Sequence, residues 1–152
     1  MRVFLSGVIQ GSHNGAGVAD QGYRRQITAI LRAWQPDIDV IDPWAIWPDA
    51  VDYDMAKAKT VLLEELALAQ RADALIAYLP SASMGSALEM LSAYQAGVPI
   101  YTITTLNRNW AVHALSTRVF DSLETFAAFV QADGLLARDV SEGGSGDTRS
   151  WL

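Results

Sequence analysis

The sequence predicts an α/β domain built on a doubly wound sheet of about five parallel strands. Short apolar runs alternate along the chain with segments whose apolar residues recur at helical spacing. Parallel neighbours in a sheet must be joined by crossovers, usually helices, so this alternation favours a parallel sheet over an antiparallel one. At 152 residues, the chain fits a single domain with a proper core.

Five apolar runs are the predicted strands. They cover residues 2–6, 38–41, 74–79, 100–102 and 118–120. Gly7 closes the first run, and Asp42-Pro43 stops the second. The glycine-rich segment 10–22 is predicted to be a loop over the strand ends, where it would serve as a lid.

The predicted helices cover residues 23–34, 55–71, 85–96, 110–115 and 122–130. In the first of them, Ile27, Ile30, Leu31 and Trp34 recur at the spacing of one helix face. Ser122 is expected to cap the last helix. The aromatic segment 44–53 is predicted to be irregular. Residues 1–133 are therefore expected to form the domain, and residues 134–152, rich in Gly and Ser, a flexible tail.

Composition argues against several functional classes. The net charge of −6 and the absence of a basic run disfavour nucleic-acid binding. Cysteine is absent and the two histidines lie far apart, so a transition-metal site is not expected. No apolar stretch approaches the ~20 residues that span a bilayer, and the N-terminus lacks a signal-peptide pattern. A soluble, cytoplasmic protein without a membrane partner is expected.

The segment 74–102, ALIAYLPSASMGSALEMLSAYQAGVPIYT, is the most informative part of the chain. It predicts a strand, a small-residue loop, a helix and a second strand. Glu89 falls in the second turn of that helix, between the apolar Leu88 and Met90. Open α/β sheets bind small molecules beyond the carboxyl ends of their strands. A carboxylate there is suited to attack a sugar carbon, as in retaining glycosidases.

Neighbouring polar groups have a functional and an ordinary interpretation. Ser83 is either a simple helix N-cap or part of a cradle in which free N–H groups meet an anion or a sugar hydroxyl. One of the adjacent acids Glu64 and Glu65 is expected to point towards the strand ends or the neighbouring helix, where it would donate a proton or orient the substrate. Glu64 is assigned to a solvated helical face. The segment GAGVAD at 15–20 lacks the third glycine of a dinucleotide fingerprint, and no Walker sequence is present.

Three aromatic residues follow the second strand, at a loop that would flank the same crevice. Nucleobases stack on such side chains, although buried tryptophan in a small domain more often belongs to the core. The three are Trp44, Trp47 and Tyr53.

Three segments together resemble the nucleoside 2-deoxyribosyltransferase superfamily: VFLSGVIQG at 3–11, ADALIAYLP at 72–80 and SMGSALEMLSAYQAGVPI at 83–100. That superfamily contains deoxyribosyltransferases and nucleoside 5′-monophosphate N-glycosidases. The resemblance covers about residues 2–130. It implies a flavodoxin-like fold, no cofactor, a nucleoside or nucleotide substrate, and a homodimer or higher homo-oligomer with shared active sites.

The resemblance also implies roles for individual residues. Glu89 matches the family's nucleophile, and Glu65 matches an assisting acid near the sugar and base. Asn109 resembles an asparagine that is lent to a partner subunit's sugar hydroxyl. The first loop, with Gly7 and Gln10, and the G-x-x-x-E motif that begins at Gly85 would bind substrate.

Some positions depart from the family pattern. Ser83 matches a phosphate-binding serine of the monophosphate hydrolases, but Val8 and Gln10 replace the serine and arginine of their first loop. Phe4 replaces a tyrosine that usually hydrogen-bonds the nucleophile. Loss of the tyrosine hydroxyl would leave room beside the sugar for the 2′-hydroxyl of a ribose substrate.

Taken together, these residues predict a cofactor-free enzyme that cleaves the N-glycosidic bond of a nucleoside or nucleoside 5′-monophosphate and transfers the sugar to water or another base. Two alternatives stay open. The changes at Phe4, Val8 and Gln10 fit a catalytically inert nucleotide-binding or sensing protein on the same fold. An unrelated regulatory domain is the other, although the acids that a receiver domain needs are replaced by Gly7-Val8 and Leu79-Pro80.

Overall fold

A computed structural model describes residues 1–10 and 17–136 and contains one five-stranded parallel sheet. The strands are β1 (Arg2–Gly7), β2 (Asp39–Ile41), β3 (Ala74–Leu79), β4 (Ile100–Thr104) and β5 (Arg118–Phe120). Their spatial order is β2-β1-β3-β4-β5, and every neighbouring pair is parallel. This is the flavodoxin-like order, in which the chain reverses its direction of winding between β1 and β3.

The helices are α1 (Gly22–Trp34), α2 (Pro43–Ile46), α3 (Met55–Arg71), α4 (Met84–Gln95), α5 (Trp110–Leu115) and α6 (Leu123–Ala132). Helices α1 and α6 pack on one face of the sheet, whereas α3, α4 and α5 pack on the other. Successive residues of β1 alternate between these two cores, since side chains of a strand point to opposite faces in turn. Val3 and Leu5 face α1, and Phe4 faces α4.

All five strands and the five predicted helices are present, with ends that shift by one to two residues in most cases. The prediction of an irregular segment 44–53 was wrong in part. Asp42 caps the short helix α2 by accepting a hydrogen bond from the N–H of Trp44, and Pro43 occupies its first turn. The Asp-Pro pair that ends β2 therefore also begins a helix, because proline suits the first helical position. A 3₁₀ turn follows at Ala50–Asp52.

The structure describes the first residues of the predicted tail. Leu135 is buried, and the N–H of Leu136 donates a hydrogen bond of 2.9 Å to the hydroxyl of Tyr101. Residues 134–136 therefore pack against the domain. Residues 137–152 of the tail and residues 11–16 of the predicted lid lie outside the described part of the chain. Among the described residues, none of the helices has the length and apolar character that crossing a membrane requires.

Candidate active site

A cavity of about 350 Å³ opens at the carboxyl ends of β1 and β3, where the order of the strands reverses. Crevices at this point of a doubly wound sheet are the usual ligand sites of such folds. The wall combines residues that follow β1, the turn before α3, one face of α3 and the first turns of α4. They are Gly7, Ile9, Gln10, Ala50, Val51, Tyr53, Ala58, Val61, Leu62, Glu65, Ser83, Met84, Gly85, Ser86 and Glu89.

Glu89 is a buried carboxylate in the wall of this cavity. Only 6% of the residue is exposed, and the hydroxyl of Ser6 donates a hydrogen bond to its Oε2 atom. Ser6 is itself buried in β1, two residues beyond Phe4 on the same face of the sheet. The acid predicted from the sequence is therefore directed towards the crevice and held there by a neighbouring strand.

Glu65 brings a second carboxyl group to the same cavity from α3. Burial raises its pKa to about 7, although the charge of Arg24 opposes the rise. Burial is also the main reason that the pKa of Glu89 rises to about 8. The hydrogen bond from Ser6 opposes that rise, the charge of Glu65 adds to it, and the charge of Arg24 opposes it. Two carboxyl groups that titrate near neutral pH can exchange protons with a substrate.

Arg24 provides the positive charge that both acids sense. Its side chain is only 4% exposed, and its Nη1 atom donates hydrogen bonds to Asp42 at 2.7 Å and to the carbonyl of Leu5 at 3.2 Å. Its Nε atom donates to the amide oxygen of Gln21 at 2.6 Å. Because these partners hold the guanidinium, it acts on the two acids through the field rather than through direct contact.

The start of α4 forms another part of the wall. The hydroxyl of Ser83 accepts a hydrogen bond of 3.3 Å from the N–H of Ser86, so Ser83 is the N-cap and also lines the cavity. A side chain at Gly85 would meet nothing within 4 Å, so that glycine leaves the backbone open to the crevice. The structure thus brings seven of the predicted residues together, namely Gly7, Gln10, Tyr53, Glu65, Ser83, Gly85 and Glu89.

Phe4 requires a correction. It is fully buried in the core beneath α4 and is absent from the cavity wall, so its ring leaves no extra room for a 2′-hydroxyl. The hydrogen bond to Glu89 comes instead from Ser6, because the second turn of α4 lies over the last residues of β1 rather than over its middle.

The prediction that Trp44 flanks the crevice was also wrong. This residue lies in α2, is half-buried and does not line the cavity, whereas Tyr53 does. Asn109 caps α5 by accepting a hydrogen bond of 3.2 Å from the N–H of Val112, and it does not line this subunit's cavity. A contact between Asn109 and a substrate bound to a partner subunit stays a prediction. Glu64 is exposed, as predicted.

The sequence reasoning missed Ser6 and Ser86. Ser6 is a polar residue in an otherwise apolar strand, and Ser86 precedes Glu89 by one helical turn. Both signals are visible in the sequence, but serine is common at such positions. Within the described residues, no group of three or more His, Cys, Asp or Glu side chains is arranged to hold a metal ion.

Solved structures of other proteins share this architecture. A 2-deoxyribosyltransferase from Bacillus psychrosaccharolyticus superposes with a TM-score of 0.63 at 13% identity, covering 84% of this chain and 90% of that chain. The chain shares the fold of that enzyme. A conserved protein from Enterococcus faecalis V583 gives a TM-score of 0.62 at 19% identity, covering 84% of this chain and 94% of the other.

A CMP N-glycosidase from Clostridium botulinum gives a TM-score of 0.48 at 18% identity, with 86% and 98% of the two chains covered. No family model matches the sequence, and no curated protein matches it. At these identities, the likeness shows the fold, and the chemistry must be argued from the cavity.

Proposed function

We propose that this protein is an enzyme that cleaves the N-glycosidic bond of a nucleoside or nucleoside 5′-monophosphate, with Glu89 as the nucleophile. The observation that carries the proposal is the buried carboxylate of Glu89 in the cavity wall, with the carboxyl of Glu65 lining the same cavity. The sequence motifs around Glu89 and the fold shared with a 2-deoxyribosyltransferase support the same class of reaction.

The two acids divide the chemistry between them. An oxygen of Glu89 attacks the anomeric carbon as the carbon–nitrogen bond to the base breaks, and Glu65 donates its proton to the departing base nitrogen. This leaves a covalent ester between sugar and Glu89. Water or a second base then attacks the anomeric carbon, Glu65 accepts the proton of the attacking group, and the carboxylate of Glu89 is released.

Three features of the wall support the binding of a nucleoside. Tyr53 brings an aromatic ring to the wall, and the Nζ atom of Lys57 lies over one face of that ring, 3.7 Å from its centroid. The N-terminus of α4, capped by Ser83, favours hydroxyl or phosphate oxygens. The described wall contains no arginine or lysine of its own, so a phosphate there would depend on backbone N–H groups, on hydroxyls and on Lys57, which lies beside the wall residue Tyr53. The reaction needs no cofactor.

We also propose that the enzyme is a homodimer or a higher homo-oligomer. Helix α4 exposes an apolar stripe at the spacing of one helix face: Met84, Leu88, Leu91 and Tyr94, which are 88%, 43%, 41% and 49% exposed. The stripe begins at the mouth of the cavity, because Met84 also lines it. A second copy seated on this stripe would cover the mouth and bring its own side chains to the site. Cytoplasmic location stays a prediction from the sequence.

The test is the release or exchange of a base by the purified protein. Ribonucleosides, deoxyribonucleosides and their monophosphates are incubated with and without a free base, and the products are separated by chromatography. We expect release or exchange with at least one substrate, and loss of more than 10³-fold in kcat for Glu89→Ala. The control is Glu64→Ala, which removes an exposed acid of the neighbouring helix.

Two results would contradict the proposal. Turnover that survives in Glu89→Ala would exclude this residue as the nucleophile. Binding of a nucleotide without base release over long incubation would support the inert binding protein instead. Circular dichroism of each variant shows whether the fold is retained.

A further inference from the structure

The hydroxyl of Ser86 has no hydrogen-bond partner within the described part of the chain, although the residue is only 2% exposed. A buried hydroxyl without a partner destabilises the folded state, and such groups are rare in native proteins. Ser86 lies in the wall of the cavity, so a molecule bound in the cavity is in a position to hydrogen-bond its hydroxyl.

The position of Ser86 relative to Glu89 indicates which part of the occupant it meets. The two residues are three apart on α4, so they lie one above the other on the same helix face, with about 5–6 Å between their Cβ atoms. A group that contacts Ser86 is therefore attached at, or next to, the atom that Glu89 attacks. The Oγ atom of Ser86 is itself buried, so the hydroxyl reaches an occupant of the cavity after rotation about the Cα–Cβ bond into another staggered position.

The stereochemistry of the proposed substrate narrows the choice further. The base of a natural nucleoside leaves from one face of the sugar, so the nucleophile approaches from the opposite face. The 2′- and 3′-hydroxyls of ribose point to that opposite face. The 2′-hydroxyl is on the carbon next to the reacting one, which makes it the closer of the two to a side chain beside Glu89.

We propose that Ser86 is a specificity-determining residue that hydrogen-bonds the 2′-hydroxyl of a ribose substrate. This inference rests on the proposed function and deepens it, because it selects ribo over 2′-deoxyribo substrates. A serine hydroxyl both donates and accepts, as does the 2′-hydroxyl, so the pair satisfies each other. A deoxy substrate leaves Ser86 buried and unpaired, and sites of this kind discriminate strongly against an analogue that lacks the hydroxyl.

Helix α4 contains a matched control. Ser92 is also buried, at 6% exposed, but its hydroxyl donates a hydrogen bond of 3.1 Å to the carbonyl of Leu66 and is absent from the cavity wall. The variants Ser86→Ala and Ser92→Ala therefore remove the same atom from the same helix. Of these two atoms, only the first lacks a partner among the described residues.

The experiment compares wild type, Ser86→Ala and Ser92→Ala with adenosine, guanosine, cytidine and uridine and with their 2′-deoxy and 3′-deoxy counterparts. We expect wild type to prefer ribo over 2′-deoxy substrates in kcat/KM, and Ser86→Ala to lose about 10- to 100-fold on ribo substrates while keeping its 2′-deoxy rate. The 3′-deoxy compounds should behave like the ribo compounds. Ser92→Ala should keep the wild-type preference.

Stability provides a readout that does not depend on turnover. Ser86→Ala should keep or raise Tm, since it removes an unpaired buried group and alanine favours the helix. Ser92→Ala should lower Tm. A fall in Tm for Ser86→Ala as large as that for Ser92→Ala would overturn the inference, because it would show that the hydroxyl of Ser86 has a structural partner.

Ligand-induced shifts in Tm separate this inference from the proposed reaction. If ribo but not 2′-deoxy nucleosides raise Tm in wild type and Ser86→Ala abolishes the difference, the inference stands even if no base is ever released. Three results would overturn the inference while leaving the role of Glu89 intact. Ser86→Ala could lose kcat/KM equally on ribo and 2′-deoxy substrates, or show no loss at all. It could also remove a preference for ribo over 3′-deoxy substrates, which would assign Ser86 to the 3′-hydroxyl.

Discussion

At the scale of single residues, the protonation of two carboxyl groups governs the proposed chemistry. Glu89 must be charged to attack, and Glu65 must hold a proton to release the base. Burial raises the pKa of Glu89 to about 8 and that of Glu65 to about 7. The productive arrangement is therefore the less populated of the two singly protonated forms of the empty site.

The pH dependence of kcat/KM follows from this pair. Activity should rise as pH climbs through about 7, when the doubly protonated site loses one proton, and fall above about 8, when both protons are gone. In Glu65→Gln, which cannot ionise, kcat should drop by about 10²–10⁴-fold and the alkaline fall should disappear. Steady-state kinetics across pH 5–10 measures both. An unchanged alkaline limb in Glu65→Gln would contradict the assignment of the acid.

At the scale of elements, β1 and α1 meet closely at the end of the strand, on the face of the sheet opposite α3 and α4. Gly7 ends β1 directly against the ring of Tyr23, which stacks on Tyr78 with ring centroids 4.2 Å apart. A Cβ at Gly7 would lie 2.1 Å from the hydroxyl oxygen of Tyr23 and 2.7 Å from the ring carbon that bears it. Glycine is therefore needed here for packing, in addition to any contact with substrate.

Gly7→Ala should destabilise the protein by about 1–3 kcal/mol, because the stacked ring must move. Gly85→Ala is the matched control: a Cβ there meets nothing within 4 Å, and alanine favours a helix. Urea unfolding of both variants measures the difference. The Gly7→Ala loss should shrink in a Tyr23→Leu background, and additive losses in that double-mutant cycle would show that the contact with Tyr23 is not the cause.

At the scale of the whole molecule, one face of α4 has no neighbour among residues 1–10 and 17–136. The exposed stripe on α4 is too apolar for a helix that only meets solvent, and exposed apolar patches of this kind mark interaction sites. The stripe adjoins the cavity through Met84, so assembly and activity are expected to be linked.

Leu91→Glu should convert the oligomer to monomers and reduce activity, because a charge in the middle of the stripe cannot be buried against a second copy. Leu63→Glu is the control, since Leu63 is also exposed, at 55%, but lies on α3 outside the stripe. Sedimentation velocity measures the assembly state, and the base-release assay measures activity. A monomeric wild-type protein, or an oligomer that Leu91→Glu leaves intact, would contradict this interface.

Much of this molecule could be predicted because its signals are local. Strand and helix periods of 2 and 3.6 residues, the caps at Ser83 and Ser122, and the place of Glu89 in the second turn of α4 all depend on residues close together in the chain. These features determined the five strands, the parallel sheet and one side of the crevice.

Only the tertiary structure decided which side chains meet across the crevice. The level at which α4 crosses β1 makes Ser6, rather than Phe4, the partner of Glu89. The approach of α3 brings Glu65 to the cavity, and the turn before α3 contributes Tyr53 in place of Trp44. These contacts join residues far apart in the chain. The offsets that create them are set by packing of whole elements, which no local pattern encodes.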